Sequence, residues 1–443
     1  MCSAGNARTV ERMTSSHSSN GPSDGATSTA GSDGPPRVPT DRTHVVIVGG
    51  GVAAVECALA LRDLAGDRVR LTLIAPETDF ELRSLRTAEP FSRDHVRRHP
   101  LKDLAAHVGA ELVVDAVAEV EPEWKAVRTA GGDTVHYDAL VLATGARHRN
   151  AFRHAMTFDG DRSTLPFNGL LADIDEGHSH SVSFVVPPGT TWPLPLYELA
   201  LMTAAEAWGM GIDDVKIQIV SPEPSPLALF GPPATEAVAA LLDQAGIAFR
   251  GDSYVREASD GAFVLVPSGE SLDSQRIVAL PTIEGVRLDG VPADASGFVP
   301  VDEHGRVRDL TDVYAAGDGT AFGVKQGGLA CQQADAVAEL LASAAGAPVQ
   351  PRPFKPVLRG RLLTGRHAQY LERALHGGSG DAPSEPRLWS AAHKVDGRYL
   401  SPWLLALEGT GPEVRADAAV TGDGVDVEVA LPHGVGPATY ALR

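Results

Sequence analysis

The stretch His44–Leu61 reads HVVIVGGGVAAVECALAL and decides how the beginning of this chain folds. An apolar, β-branched run meets three glycines and then small residues, which predicts a strand, a tight turn and a helix. The spacing Gly49-x-Gly51-x-x-Ala54 fits the dinucleotide-binding fingerprint. One glycine makes the turn, the next lets backbone approach a pyrophosphate, and the small third residue packs helix on strand. The helix N-terminus would point its N–H groups at the phosphates, and an ordinary strand-to-helix turn is the alternative.

The composition is that of a globular protein with room for two or three domains. The chain has 443 residues, of which 43% are hydrophobic and 21% are charged. Its formal net charge of −19 argues against nucleic acid as the main partner, because a broad basic surface is hard to combine with that excess of acid. We therefore expect small-molecule partners and no nucleic acid, and the sequence leaves the oligomeric state open.

Cysteine usage and hydropathy predict a cytoplasmic protein. Cys2, Cys57 and Cys331 have no CxxC spacing and cannot form a disulfide framework for a chain of this size. No apolar run reaches the roughly 18 residues that span a bilayer, and we expect neither a signal peptide nor an anchor. The sequence also predicts no metal site. Residues 1–42 are rich in Ser, Gly, Thr and Pro, and we expect them to form a disordered tail.

Alternating strands and helices predict an α/β fold with two Rossmann-like, three-layer domains and a smaller C-terminal region. The first domain is discontinuous, 43–150 and 291–346; the second spans 151–290, and the C-terminal region spans 347–443. Residues 147–180 are polar and interrupted and predict a crossover without regular structure. The elements predicted for the second domain are the strand Ser181–Val186, the helix Leu196–Trp208, the strand Val215–Val220 and the helix Pro233–Gln244.

Three more positions in the first domain suit ligand binding. The predicted strand Thr134–Gly145 ends in Ala143-Thr144-Gly145, and the segment 312–318 reads DVYAAGD. Asp318, just past that strand and beside the predicted helix Leu329–Ala345, could hold a sugar or polyol hydroxyl, with capping of the helix as the alternative. Glu77 follows the predicted strand Val69–Ala75 and could bind an adenosine ribose; an ordinary turn carboxylate is the alternative.

The turn of the second domain differs from that of the first. It reads Pro187-Pro188-Gly189-Thr190-Thr191-Trp192-Pro193, without the glycine pair that a nicotinamide dinucleotide needs. Each proline also removes one N–H donor. Side chains such as Glu198 could still hold a nicotinamide amide. The sequence predicts NAD(P)H as a weak or absent co-substrate.

The three ordered motifs resemble those of the FAD-dependent pyridine nucleotide-disulfide oxidoreductase superfamily, and more narrowly the branch of type II NADH dehydrogenases and sulfide:quinone oxidoreductases. The resemblance covers about residues 43–405. It implies a non-covalent FAD, with Val117 meeting the adenine, Asp318 the ribityl chain and Lys325 the isoalloxazine, where a cation stabilises the anionic reduced form. Arg83, in the stretch Phe80-Glu81-Leu82-Arg83, is a further candidate, with a surface salt bridge as its alternative.

The complete set implied to bind the cofactor is Gly49, Gly51, Val52, Ala53, Ala54, Glu77, Arg83, Val117, Ala143, Thr144, Gly145, Gly317, Asp318, Lys325, Gln326 and Gly327, with Lys325 also in a catalytic role. Sulfide oxidation in this branch needs cysteines near the flavin, and residues 150–310 contain none. The implied function is therefore an FAD-dependent oxidoreductase that passes electrons to a quinone or small acceptor without a redox-active disulfide. The alternatives are an ordinary NAD(P)H dehydrogenase or reductase and a non-catalytic flavin-binding protein.

Residues 352–373 invert the local charge, with six cations and the single acid Glu372 among apolar residues that include Val357, Leu358, Leu362 and Leu363. Such a segment docks on the acidic body of the protein or lies on an anionic membrane surface. We favour docking, and peripheral membrane contact is the alternative.

Overall fold

Two parallel sheets, each covered by helices, organise the part of the chain that the structure describes. The computed structural model describes residues 42–92, 95–160, 163–365, 394–408 and 424–430. The predicted tail lies outside the described residues except for its last position, as does the predicted basic segment beyond residue 365. The described residues all belong to one compact unit.

The strands are, in chain order, β1 Thr43–Val48, β2 Val69–Ala75, β3 Asp79–Glu81, β4 Arg98–Pro100, β5 Ala110–Val114, β6 Val117–Glu121, β7 Ala126–Thr129, β8 Thr134–His136, β9 Ala139–Leu142, β10 Ala146–Arg149, β11 Met156–Thr157, β12 Ser181–Val185, β13 Lys216–Val220, β14 Ile247–Arg250, β15 Tyr254–Glu257, β16 Phe263–Val266, β17 Arg276–Ala279, β18 Thr282–Gly285, β19 Val313–Ala315, β20 Val357–Leu363 and β21 Gly424–Ala430. The helices are α1 Val52–Ala65, α2 Leu101–Val108, α3 Thr164–Asp175, α4 Leu194–Gly209, α5 Pro232–Gln244, α6 Gly327–Ala344 and α7 Leu400–Glu408. Short 3₁₀ helices cover Gly66–Arg68, Arg83–Phe91, Pro122–Trp124 and Ala228–Phe230.

The first sheet has the order β19-β9-β1-β2-β5 and is parallel throughout. Because successive strand residues point to opposite faces, Val45 and Ile47 pack with α1 and α6 while Val46 and Val48 pack against the other side of the sheet. Burial on both faces explains why β1 is a continuous apolar run. The predicted strand, turn and helix at the start of the chain are confirmed.

The second sheet has the order β11-β17-β12-β13-β14 and is also parallel. Its helix α4 is buried on nearly all sides over its first turns, and it packs with α3, β12 and β13 in a separate apolar core. The predicted α/β class with two parallel-sheet units is confirmed. The residue boundaries given for the domains stay a prediction.

Two parts of the sequence prediction are wrong in detail. Residues 147–180 hold the strands β10 and β11 and the helix α3 in place of an irregular crossover. The buried residues Phe167, Leu170, Leu171 and Ile174 recur at helical spacing, a period that the surrounding polar residues obscured. The predicted strand Thr134–Gly145 is two strands, β8 and β9, which belong to different sheets.

The described part of the basic segment docks on the body of the protein. Leu358 and Leu362 on β20 are buried, and β20 pairs antiparallel with β21. Arg352 forms an ion pair with Glu339 on α6, and Arg359 forms one with Asp396 at 3.0 Å. Among the residues that the structure describes, no helix combines the length and apolar character needed to cross a membrane.

Candidate functional site

The three sequence motifs of the first sheet converge at the carboxyl ends of its strands. A Cβ added to Gly49 would lie 2.2 Å from the carbonyl oxygen of Ala143, so the first glycine turn and the Ala143-Thr144-Gly145 turn pack backbone against backbone. A Cβ added to Gly317 would lie 3.0 Å from the Cβ of Ala53. One added to Gly319 would lie 3.1 Å from the carbonyl oxygen of Gly145. Turns separated by up to 270 residues in sequence therefore form one surface.

The N-terminus of α1 opens onto free space at this surface. Gly51 is the N-cap residue, and no side chain caps the first turn. A Cβ added to Gly51 would meet no atom within 4 Å. The unpaired N–H groups of a helix N-terminus bind anionic groups, and a diphosphate fits such a cradle.

A cavity of about 280 Å³ continues from this surface towards the second sheet. One wall holds the predicted residues Asp318, Lys325, Gln326 and Gly327, and the predicted residue Arg83 also lines the cavity. The proline-rich turn, Gly189 to Trp192, and Leu194 and Pro195 of α4 also line the cavity. Further lining residues are Ser84, Arg86, Thr87, Ala146, His148, Phe158, Asp159, Gly160, Leu280, Pro281, Thr282, Ile283, Gly360, Arg361, Lys394 and Val395.

Asp318 offers its carboxylate to the cavity. Within the described residues the carboxylate makes no hydrogen bond or ion pair of its own. Burial raises the pKa of Asp318, while the charges of Lys325 and His148 lower it. The N-cap of α6 is Gln326, whose side-chain oxygen accepts a hydrogen bond from the Leu329 N–H at 2.8 Å. Asp318 therefore does not cap α6. Its carboxylate can accept a hydrogen bond from a polyol hydroxyl.

Lys325 also lines the cavity and is held in place by two contacts. Its Nζ donates a hydrogen bond to the carbonyl oxygen of Thr320 and lies 3.9 Å from the ring centroid of Phe298. Burial lowers the pKa of Lys325 to about 8, although the charges of Asp318 and Asp294 oppose that shift. A partly desolvated ammonium of this kind stabilises negative charge that develops beside it.

The other predicted residues lie outside the cavity. Gly49, Gly51 and Ala143 to Gly145 lie at the convergent turns, with Val52 to Ala54 in the first turn of α1. Glu77 is exposed, two residues beyond β2, and Val117 is half-buried at the start of β6. The structure therefore brings the motif residues together as an elongated surface that leads into a cavity.

Glu198 plays a part that the sequence did not indicate. It is fully buried in α4 and accepts hydrogen bonds from Lys394 Nζ at 2.5 Å and Thr87 Oγ1 at 2.8 Å. The Leu363 N–H donates a third, at 3.0 Å. The expectation that Glu198 could hold a nicotinamide amide is wrong, because its carboxylate is already satisfied within the protein. The sequence signal was an acid among the apolar residues at the start of α4, since Lys394 lies 196 residues away.

The proline-rich turn contributes polar atoms of its own. The Oγ1 atoms of Thr190 and Thr191 are buried, and neither has a hydrogen-bond partner among the described residues. Such atoms cost free energy unless a ligand or water satisfies them. They face a cavity that is large enough for a small organic molecule.

The two described cysteines are not redox partners of each other. Cys57 and Cys331 are buried, free thiols on α1 and α6. Burial raises the pKa of both thiols, and the nearby acids Glu56 and Asp335 raise it further. A thiol that stays protonated is a poor nucleophile and a poor metal ligand.

The sequence of this chain matches the model of a known protein family. Residues 43–168 and 199–336 match the model of the pyridine nucleotide-disulphide oxidoreductase family. The two matched segments include all three motifs and most of both sheets. The match therefore covers the convergent turns and the lining residues Asp318 to Gly327, and it leaves out the proline-rich turn.

Several curated proteins are similar in sequence. A sulfide-quinone reductase of Aquifex aeolicus is 31% identical over 106 residues, and the match covers 24% of this chain and 24% of that protein. An NADH dehydrogenase-like protein of Mycobacterium tuberculosis is 28% identical over 302 residues, or 62% of this chain and 72% of the relative. The ferredoxin reductase component of a Cupriavidus chlorobenzene dioxygenase is 24% identical over 396 residues, or 83% and 84%.

Solved structures share the fold. The sulfide:quinone oxidoreductase of Aquifex aeolicus superposes with a TM-score of 0.64 at 21% identity, over 73% of this chain and 81% of that one. A ferredoxin reductase of Rhodopseudomonas palustris gives a TM-score of 0.54 at 21% identity, over 73% and 80%. At this level of identity the likeness speaks for the fold alone.

Proposed function

We propose that this chain, which belongs to the pyridine nucleotide-disulphide oxidoreductase family, passes electrons through a non-covalent FAD to a quinone or small acceptor. The protein is an oxidoreductase with FAD as its cofactor, as its family and the reductases among its relatives support. The class of the electron acceptor is the part that we add.

The convergent turns and the cavity suit different parts of the cofactor. The diphosphate would bind at the N-terminus of α1 beside Gly51, and Asp318 would accept a hydrogen bond from the ribityl chain. The Lys325 ammonium would lie at the flavin ring and favour its negative charge after reduction. When bound, FAD supplies the two-electron chemistry, and the protein binds, orients and tunes it.

The proposal rests on one observation, that the second unit offers a nicotinamide dinucleotide neither a free carboxylate at Glu198 nor a glycine pair in its first turn. The position at which α4 could have offered a carboxylate to nicotinamide is occupied by the Glu198–Lys394 pair. The adjoining turn has three prolines and one glycine between residues 187 and 193. We infer that NAD(P)H binds weakly or not at all and that the cavity receives a different small molecule.

A second candidate is an ordinary NAD(P)H reductase. It is favoured by the match to a ferredoxin reductase component over 83% of this chain and by the name of the NADH dehydrogenase-like relative. A flavin-binding protein without turnover is the remaining alternative from the sequence. The absence of a redox-active disulfide is likewise a proposal, supported by two buried thiols with raised pKa values. The domain boundaries and the cytoplasmic location stay predictions.

The proposal is tested on the reduced holoenzyme. We expect the enzyme, reduced anaerobically with one equivalent of dithionite, to be reoxidised by decylubiquinone or menadione with a rate that saturates as the quinone concentration rises. Saturation indicates that the quinone binds before it reacts. Thr282→Trp, which places a large ring at the cavity, should abolish saturation. Thr134→Trp on the exposed strand β8 is the matched control and should leave it intact. Failure of both quinones to reoxidise the wild-type protein would contradict the proposed acceptor class.

A further inference from the structure

His148 is a titratable side chain of the cavity to which the proposed function gives no role. It lies on β10, three residues beyond the Ala143-Thr144-Gly145 turn, and lines the cavity with Asp318 and Lys325. The side chain is also exposed, so solvent can return a proton to it.

His148 differs in residue type from the other charged groups that line the cavity. The remaining charged side chains in the lining are Arg83, Arg86, Asp159, Asp318, Lys325, Arg361 and Lys394. On the paired strand β18, Glu284 forms an ion pair with Arg149 at 2.6 Å, and Arg147 flanks His148 on its own strand. Among these groups, histidine is the type that both gives and takes a proton near neutral pH.

The proposed reaction requires a proton at this place. Reduction of a quinone to a quinol adds two electrons and two protons, with one proton on each carbonyl oxygen, while the reduced cofactor is oxidised. With Lys325 holding a bound flavin in its anionic reduced form, the flavin would supply two electrons and only one proton. The second proton must reach the acceptor from a side chain or from water.

We propose, resting on the proposed function, that His148 is the general acid that gives this second proton to the quinone bound in the cavity. The imidazolium loses its proton to a carbonyl oxygen and recovers one from solvent. A positioned general acid typically accelerates such a step by roughly 100- to 10,000-fold.

The first test compares His148→Gln with His154→Gln. His154 lies outside the lining and pairs with Glu257, so it provides a matched change of the same residue type. Reoxidation of the reduced holoenzyme by decylubiquinone is followed between pH 5.5 and 9. We expect the wild-type and His154→Gln rate constants to fall as pH rises across this range, because a smaller fraction of the general acid then carries its proton. His148→Gln should be slower by about 100-fold at pH 6 and independent of pH.

The second test does not depend on turnover. Diethyl pyrocarbonate acylation of the oxidised, FAD-loaded protein is located by mass spectrometry with and without decylubiquinone. We expect the quinone to protect His148 and not His154. A pH profile of His148→Gln that matches wild type, or the absence of protection, overturns this inference while leaving the proposed function in place. If wild type is not reoxidised by any quinone, both fail.

Discussion

The two Rossmann-like units carry the same buried acid at the same place and use it in the same way. Glu56 is the fifth residue of α1, Glu198 is the fifth residue of α4, and both are fully buried. Glu56 accepts hydrogen bonds from the N–H groups of Tyr399 and Leu400, at 2.9 and 2.6 Å. Glu198 accepts from Lys394 and from the Leu363 N–H. In both units a residue of the C-terminal region therefore donates a hydrogen bond to a buried glutamate, on α1 in the first unit and on α4 in the second.

The units differ at the positions where a dinucleotide would bind. The first has a glycine turn with an open helix N-terminus, and the second has a proline-rich turn. Glu77, after β2, is exposed, whereas Glu223, after β13, is inside and accepts a hydrogen bond from the Tyr197 hydroxyl at 2.8 Å. Burial raises the pKa of Glu223 to about 7. The second unit has the same parallel sheet and helix as the first. Its buried acids Glu198 and Glu223, however, are hydrogen-bonded to other residues of the protein and are not left for a ligand.

The largest expected effect comes from breaking the Glu198–Lys394 pair. Lys394→Met leaves a buried carboxylate without its charge partner, and we expect the free energy of unfolding to fall by about 3–5 kcal/mol. Urea denaturation followed by circular dichroism measures the change. The double variant Glu198→Leu/Lys394→Met should recover most of the loss, because an apolar pair of similar volume replaces both charges.

Lys355 provides the matched control for that experiment, because it is exposed in the same C-terminal region. Lys355→Met should change stability by less than about 0.5 kcal/mol. An equally small effect of Lys394→Met would mean that the C-terminal region is not fastened to α4 through Glu198. The resemblance between the two units would then be limited to the position of the glutamates.

The next prediction concerns FAD binding by the first unit, the function for which the second unit has no counterpart. Asp318→Ala removes a charge-assisted hydrogen bond worth about 1.5–3 kcal/mol, so FAD retention should weaken by roughly 10- to 100-fold. Equilibrium dialysis followed by flavin fluorescence gives the dissociation constant. Asp213→Ala, at an exposed position outside the cavity, is the control. Full flavin occupancy of Asp318→Ala after extensive dialysis would show that the carboxylate does not bind the cofactor.

A third effect concerns an acid cluster, Glu56 and Asp335, in which Glu56 accepts a hydrogen bond from the first residue of α7. Burial and the neighbouring Glu56 raise the pKa of Asp335 to about 8, above its value of about 3.9 in an unfolded chain. The folded state therefore binds the proton more tightly, and the stabilisation is complete below about pH 4 and lost as pH rises through 8. The free energy of unfolding should fall with a slope of at most about 1.4 kcal/mol per pH unit from this group.

Comparison with Asp335→Asn isolates that contribution, because the amide does not titrate. Between pH 6 and 8 the stability of Asp335→Asn should decline less steeply than that of wild type, as urea midpoints at each pH would report. Asp103→Asn, at an exposed position of α2, should keep the wild-type slope. Parallel slopes in wild type and Asp335→Asn would mean that the proton is not held in this cluster.

The sequence predicts those parts of the molecule that local patterns determine. The apolar run before Gly49 specifies a strand buried on both faces, and the spacing of Gly49, Gly51 and Ala54 specifies the turn and helix after it. Asp318 is a candidate because it follows a recognisable strand, and Lys325 is a candidate through the resemblance that the three motifs carry. The structure places both in one cavity wall.

The parts that sequence did not predict depend on contacts between distant residues. Nothing local to Glu198 indicates that Lys394 and Leu363 satisfy it, because pairing across the fold leaves no periodicity. The helix α3 escaped prediction because its apolar residues lie in a stretch that contains Pro166, Asn168 and Gly169, residues typical of loops. His148 resembles any exposed histidine in sequence, and only the cavity gives it a position to act from.

We infer that the second unit binds NAD(P)H weakly or not at all. Anaerobic stopped-flow reduction of the FAD-loaded protein tests this inference directly. The bleaching of the flavin absorbance is recorded against NADH and NADPH from 1 μM to 5 mM. We expect slow bleaching that shows no saturation below about 0.1–1 mM, which corresponds to no more than about 4–5.5 kcal/mol of binding free energy. Rapid reduction that saturates at low micromolar NADH or NADPH would contradict the account and make the ordinary NAD(P)H reductase the correct function.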